Sequence, residues 1–254
     1  MSVFWLKIIA VCFMLVDHTG ILLYRYQIVT PEIYHWMRLL GRFSFPVYAF
    51  LLAEGFRHIR QSGKRTRDHA LLLLLLAVVS ELVFDRLFQN AWIDSSKQSV
   101  ILTLLIAFGG LLLAEDRRGK PLVRGAILLA SAVLAQLIGS DYGAPGVLLV
   151  FGCACWLERF ERWGYGRRLL GMLAVMLFYY TVYCWVHSGI GGPAAVWSYA
   201  RRMGDYVYPH VILIPLLAAY DGKPGPRIKP LHRCYQWFYP AHLAALCLLE
   251  KLIS

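Results

Sequence analysis

Charge is what this chain has least of. Only 16% of its 254 residues are charged while 59% are hydrophobic, against roughly 25% charged in an ordinary soluble domain. No polar stretch is long enough to form a separate soluble domain. No two cysteines stand in the paired CxxC spacing that holds zinc. The six present (Cys12, Cys153, Cys155, Cys184, Cys234 and Cys247) fall mostly inside apolar runs, so free thiols are expected and no metal. The first apolar run is not followed by a small-x-small cleavage site, so it is read as a retained helix and not as a leader. The net charge of +11 is not one patch interleaved with aromatics, which argues against a nucleic-acid partner.

What the chain does have is apolar runs. About 20 such residues cross the hydrocarbon core of a bilayer, and runs recur at 3–24, 41–60, 70–88, 99–114, 122–138, 144–157, 169–186, 206–220 and 235–253. The pattern predicts an all-α, polytopic transmembrane bundle of about nine spans (eight to ten), one integral-membrane domain over 1–254. A loop carrying Thr30-Pro31 is expected to lead to Arg38 and Arg42. A Gly-rich loop with Trp197 and Tyr199 should follow the seventh span, and Pro215 should kink the eighth. Two prolines and two glycines between Asp221 and Pro226 exclude a helix there.

Basic residues accumulate in alternate connections. With the N-terminus inside, Lys7, five residues after span two (Arg57, Arg60, Lys64, Arg65, Arg67) and four after each of spans four, six and eight make 18 of the 26 Lys and Arg cytoplasmic. The other eight, Arg38 and Arg42 among them, fall outside. The positive-inside rule therefore puts the N-terminus in the cytoplasm.

Ionisable groups inside the spans carry the functional argument. A charged side chain at the centre of a membrane helix costs roughly 2.5–3.5 kcal/mol, yet span one holds Asp17 and His18. His18 lies about 22 Å from the inner end at 1.5 Å per residue, past the midplane. An imidazole takes and returns a proton near neutral pH, and a carboxylate stabilises its charged form. Adjacent helical residues point roughly 100° apart, so Asp17 is free to pair with an arginine, and Glu54 or Glu81 is a candidate orienter for His18. His242, two residues after Pro240, is the alternative base. Glu81 and Asp85 share a helix face, within range of Arg38, Arg42 or Arg86. Glu54, Arg57 and Arg60 form a stripe where span two ends, an anion site with an orienting acid. Guanidinium forks match phosphate oxygens, so Arg57 and Arg60, with Lys64-Arg65 following and Arg42 counted beside them, are the candidate donor-binding residues. The alternative is headgroup contact.

Leu6-Lys7-Ile8-Ile9-Ala10, Met14-Leu15-Val16-Asp17-His18-Thr19-Gly20, Leu40-Gly41-Arg42-Phe43-Ser44-Phe45-Pro46 and Phe50-Leu51-Leu52-Ala53-Glu54-Gly55-Phe56 resemble the TraX family. So do Ser80-Glu81-Leu82-Val83-Phe84-Asp85, Asp141-Tyr142-Gly143, Tyr220-Asp221-Gly222-Lys223 and Tyr239-Pro240-Ala241-His242-Leu243, in the same order over nearly the whole chain. Asp221 replaces an asparagine usual in the family. The resemblance implies a polytopic inner-membrane protein, similar to an acetyltransferase that modifies the N-terminus of a conjugative pilin and more distantly to the acyltransferase-three membrane enzymes. By position it singles out Asp17, His18, Arg42, Glu54, Glu81, Asp85, Asp141, Tyr239 and His242. It implies acetyl-coenzyme A as acyl donor and a pilin-like peptide or envelope glycan as acceptor. Rival expectations are a proton-coupled transporter or flippase, or a non-catalytic partner in assembling a surface appendage.

Overall fold

The computed structural model describes residues 1–62, 66–117, 119–226 and 228–253; the side chains of 62 and 229–233 are outside that description, as are Lys64 and Arg65 of the expected donor site. The described residues form α-helices and connecting turns, with no strand among them: α1 (Val3–Arg25), α2 (Pro31–Gly41), α3 (Ser44–Ser62), α4 (Thr66–Phe84), α5 (Val100–Glu115), α6 (Pro121–Leu137), α7 (Gly143–Leu157), α8 (Tyr165–His187), α9 (Pro193–Arg202), α10 (Val207–Ala218) and α11 (Lys229–Ile253). The all-α expectation holds.

Two connections differ from the sequence reading. The loop expected from residue 25 to 40 is only the short turn 26–30, because the Thr30 side chain accepts the Ile33 amide at 3.4 Å, Pro31 opens the helix and Glu32 sits in its first turn. Arg38 therefore stands on a helix, and α2 and α3 run on as one broken helix whose break holds Arg42 and Phe43. The Gly-rich loop likewise contains a helix, α9, with Pro193 at its start and no buried residue.

The apolar side of the bundle faces outward. On α4, Leu71, Leu74, Leu75, Val78 and Leu82 lie on one face and are exposed, as are Leu122, Leu129 and Leu137 on α6 and Leu170 and Leu177 on α8. A soluble protein rarely exposes so much contiguous apolar surface, so this is a membrane protein. Three stretches, Val3–Arg25, Pro31–Gln61 and Tyr165–His187, are long and apolar enough to cross a bilayer. Inside, Trp156, Tyr220 and Phe50 are the largest fully buried side chains among the described residues, Phe50 meeting Tyr220 edge to face and Trp156 at a tilt.

Helices α5 and α7, of 16 and 15 residues, are about 24 and 22 Å long at 1.5 Å per residue, short of the roughly 30 Å hydrocarbon core. They begin within the bundle: the Phe45 and Tyr142 rings at the starts of α3 and α7 stack with centroids 3.6 Å apart, and Gly146 of α7 lies against Phe45 and Thr103 of α5. The segments 90–99 and 138–142 connect the helices here; Trp92 and Ile93 are exposed, while several backbone groups turned to the bundle are met by protein. The Asp94 amide donates to Asp85 Oδ2 at 2.8 Å, the Ser99 amide to both Glu81 oxygens at 3.0 and 3.1 Å, and the Gln98 amide to the Gly139 carbonyl at 3.1 Å. Non-helical backbone beside a membrane needs such satisfaction.

Candidate active site

Helices α1 and α11 run side by side in the same direction, from Lys7 over the Tyr235 ring to the Arg25–Glu250 ion pair at 2.9 Å. Midway between these contacts His18 meets His242. Their rings are parallel to within 7°, and His18 Nδ1 lies 2.7 Å from His242 Nε2. The other nitrogen of His242, Nδ1, is 2.9 Å from the Phe238 carbonyl, one turn earlier on its own helix. A carbonyl only accepts, so Nδ1 of His242 carries the proton and its Nε2 holds a lone pair. His18 Nδ1–H must then donate to that lone pair, which leaves His18 Nε2 unprotonated. The free nitrogen is 4.0 Å from Asp17 Oδ2. Phe88 and Tyr239 meet the His18 ring edge-on, and Phe238 stacks on His242 at 4.9 Å. The Tyr239 hydroxyl lies against the Val100 amide at the head of α5.

Asp17 does not hydrogen-bond His18. It accepts from Arg38 of α2 at 2.6 Å, and its Oδ1 is buried without a partner. This approach is open because residue 41 is glycine: a Cβ there would overlap the Asp17 carboxylate.

The remaining residues singled out in the sequence lie in other places. Glu54, at the far end of the bundle core, accepts two bonds from Arg57 (2.8 and 3.1 Å) and one from the Tyr220 hydroxyl (2.6 Å). Arg57 also donates to Glu161 at 2.7 Å and covers the Phe160 ring, while Arg60 pairs with Glu115 at 3.0 Å. Around them opens a cleft of about 380 Å³ that also takes in Arg159 and Arg162, two cations the sequence reading left out. Met1 donates to the Ala219 carbonyl beside Tyr220. His18, 17 residues along α1 from that point, is therefore about 25 Å from the Glu54 cluster. Arg42 does not join Arg57 and Arg60: it stacks on Tyr206 at 5.0 Å and feels the charge of Asp17. Neither Glu54 nor Glu81 orients His18. Glu81 and Asp85 receive backbone amides where guanidiniums were expected, and Asp141 pairs with Lys97 at 2.8 Å. In the same segment the Ser96 side chain, and with it the Ser96 N–H donated at 2.6 Å, hold the Asp94 carboxyl below its ordinary range. Sequence reasoning had also missed Tyr220 and Glu161 as partners across the bundle. Each is an ordinary interface residue until its contact is known.

The TraX protein family model matches residues 2–250. The chain is 26% identical over 267 aligned residues to "Probable fimbrial assembly protein FimC, serogroup H1" of Dichelobacter nodosus, covering 100% of this chain and 97% of that one. No solved structure matches.

Proposed function

Because the chain belongs to the TraX family, we propose that it is a multi-pass acyltransferase of the bacterial cytoplasmic membrane. It moves an acetyl group from acetyl-coenzyme A to an amine or hydroxyl on a pilin-like peptide or envelope glycan. The chain crosses nine times, through α1, the broken α2–α3 pair, α4, α5, α6, α7, α8, α10 and α11, with its N-terminus in the cytoplasm.

The observation that carries this reading is the lone pair on His18 Nε2, left free by the chain of bonds from His18 through His242 to the Phe238 carbonyl. In the proposed step the acceptor nitrogen or oxygen attacks the thioester carbonyl while His18 Nε2 takes its proton. The carbon–sulfur bond breaks, and the imidazolium returns the proton to the departing thiolate. His242 fixes the tautomer before the step, and its lone pair still accepts from Nδ1–H when His18 is charged. Asp17, 4.0 Å from Nε2, stabilises that charge. Coenzyme A phosphates bind in the cleft of Arg57, Arg60, Arg159 and Arg162, and the pantetheine arm enters the bundle toward the short ends of α5 and α7.

The relative named for fimbrial assembly supports a second reading, in which the buried polar groups only hold an assembly partner together. Purified protein and membranes incubated with labelled acetyl-coenzyme A separate the two. His18→Ala should lower labelled product by at least about 100-fold, the low end of general-base contributions, with the thermal unfolding midpoint kept. Undiminished labelling by folded His18→Ala, or no acetyl-coenzyme A binding by the wild type, would sink the enzyme reading.

A further inference from the structure

Arg42 stands in the break between α2 and α3, and the histidine pair gives it no task. Its guanidinium covers the Tyr206 ring, and its Nε is buried with no hydrogen-bond partner. Tyr142, Tyr179, Tyr183 and His210 from the starts and walls of α7, α8 and α10 close around it, and with Tyr206 they wall a small cavity of about 20 Å³.

The charges do not balance there. Two guanidiniums, Arg38 and Arg42, share one carboxylate, Asp17, and Arg38 already holds its Oδ2. Asp141, the other acid whose charge reaches Asp17, is taken up by Lys97. Asp205, next to Tyr206, is mostly exposed and set against His35, so among the inward groups one positive charge is left over beside aromatic rings, where an unpaired ion is costly. A guanidinium with unused donors pairs best with a planar carboxylate. A phosphate monoester, carrying about −1.5 to −2, would overshoot the single excess charge. The volume admits little more than one water-sized group, so only the oxygen end of an acid enters and its body lies outside the cavity.

We infer that the Arg42 cavity is the anchoring subsite for a singly charged carboxylate on the acceptor. This rests on the acyltransferase reading only in calling the ligand an acceptor. Gly41, which precedes Arg42, touches Asp17, which precedes His18. Asp17 is therefore a neighbour of both: it lies 4.0 Å from His18 Nε2 and its charge acts on Arg42.

The test is equilibrium binding to the purified full chain in detergent, read by saturation-transfer NMR without coenzyme A. Phenylacetate is the probe, phenylacetamide its neutral counterpart and dibutyl phosphate a stand-in for a lipid phosphodiester. Phenylacetate should bind at least about tenfold tighter than the amide, and Arg42→Gln should lose at least about tenfold, the range for a hydrogen bond to a charged group. Arg42→Lys, which keeps the charge without the fork, should fall between them and serves if the glutamine variant does not fold. Preference for dibutyl phosphate would make the cavity a headgroup site and overturn the proposal. So would equal binding of acid and amide, no binding of any probe, or binding that neither variant weakens. A failure here leaves acetyl transfer untouched, and a failure of acetyl transfer leaves this binding result standing.

Discussion

At the residue scale, a histidine in an apolar helix becomes informative once its two nitrogens are told apart. The Phe238 carbonyl does this at one remove, through His242, and so makes His242 a positioning residue and His18 the base. The assignment has a consequence that a packing role lacks. His242→Gln keeps an acceptor for His18 Nδ1–H and should hold turnover within about tenfold of wild type. His242→Phe fills the space, strands that donor and should cost at least about 100-fold in kcat, with little change in KM for acetyl-coenzyme A. Equal losses in the two variants would remove the tautomer argument. Asp17 and His18 were legible as expensive residues in span one, and helix geometry alone separated their side chains. The partner of His18 was not legible, because it lies 224 positions away and no local pattern encodes the register between α1 and α11. The same limit hid Tyr220 from Glu54.

At the scale of elements, the apolar runs were legible as helices, three stretches of them long and apolar enough to cross a bilayer, and α2 and α9 were missed because each is short and polar on one side. The signals were present: Thr30-Pro31-Glu32 is a helix start, and Gly192-Pro193 another. The buried acids at the end of α4 show a different use of charge. Glu81 and Asp85 stand in for the helix caps and loop partners that water would otherwise supply, holding the amides of Asp94 and Ser99 at the entry to α5. Glu81→Ala should therefore lower stability by about 1–3 kcal/mol, the value of a hydrogen bond to an ionised group plus the stranded amide. Glu81→Gln, which keeps one acceptor, should lose less. Denaturation in detergent reads both. A Glu81→Gln variant with unchanged stability and no acetyl transfer would instead put Glu81 in the chemistry.

At the scale of the whole molecule, the basic cleft and the histidine pair lie about 25 Å apart along α1, a separation that suits a donor and an acceptor arriving from opposite sides. That use depends on which end faces the cytoplasm, and α8 is the helix on which to ask. Its 23 residues measure about 34 Å, enough to cross by itself. Gly164 caps its start near the Arg159–Arg162 cleft, Gly192 follows its end, and a Cβ at either position meets open space. Cysteines at these two glycines therefore leave the fold alone, and the exposed Cys12, Cys155 and Cys234 are first changed to serine so that only the new thiol reacts. With the N-terminus inside, a membrane-impermeant maleimide added to intact cells should label Gly192→Cys at once and Gly164→Cys only after permeabilisation. The reverse pattern would put the basic cleft outside, away from cytosolic acetyl-coenzyme A, and the proposed donor route would fail. Labelling of both positions from outside would mean that α8 does not cross, and the nine-pass arrangement would fail with it.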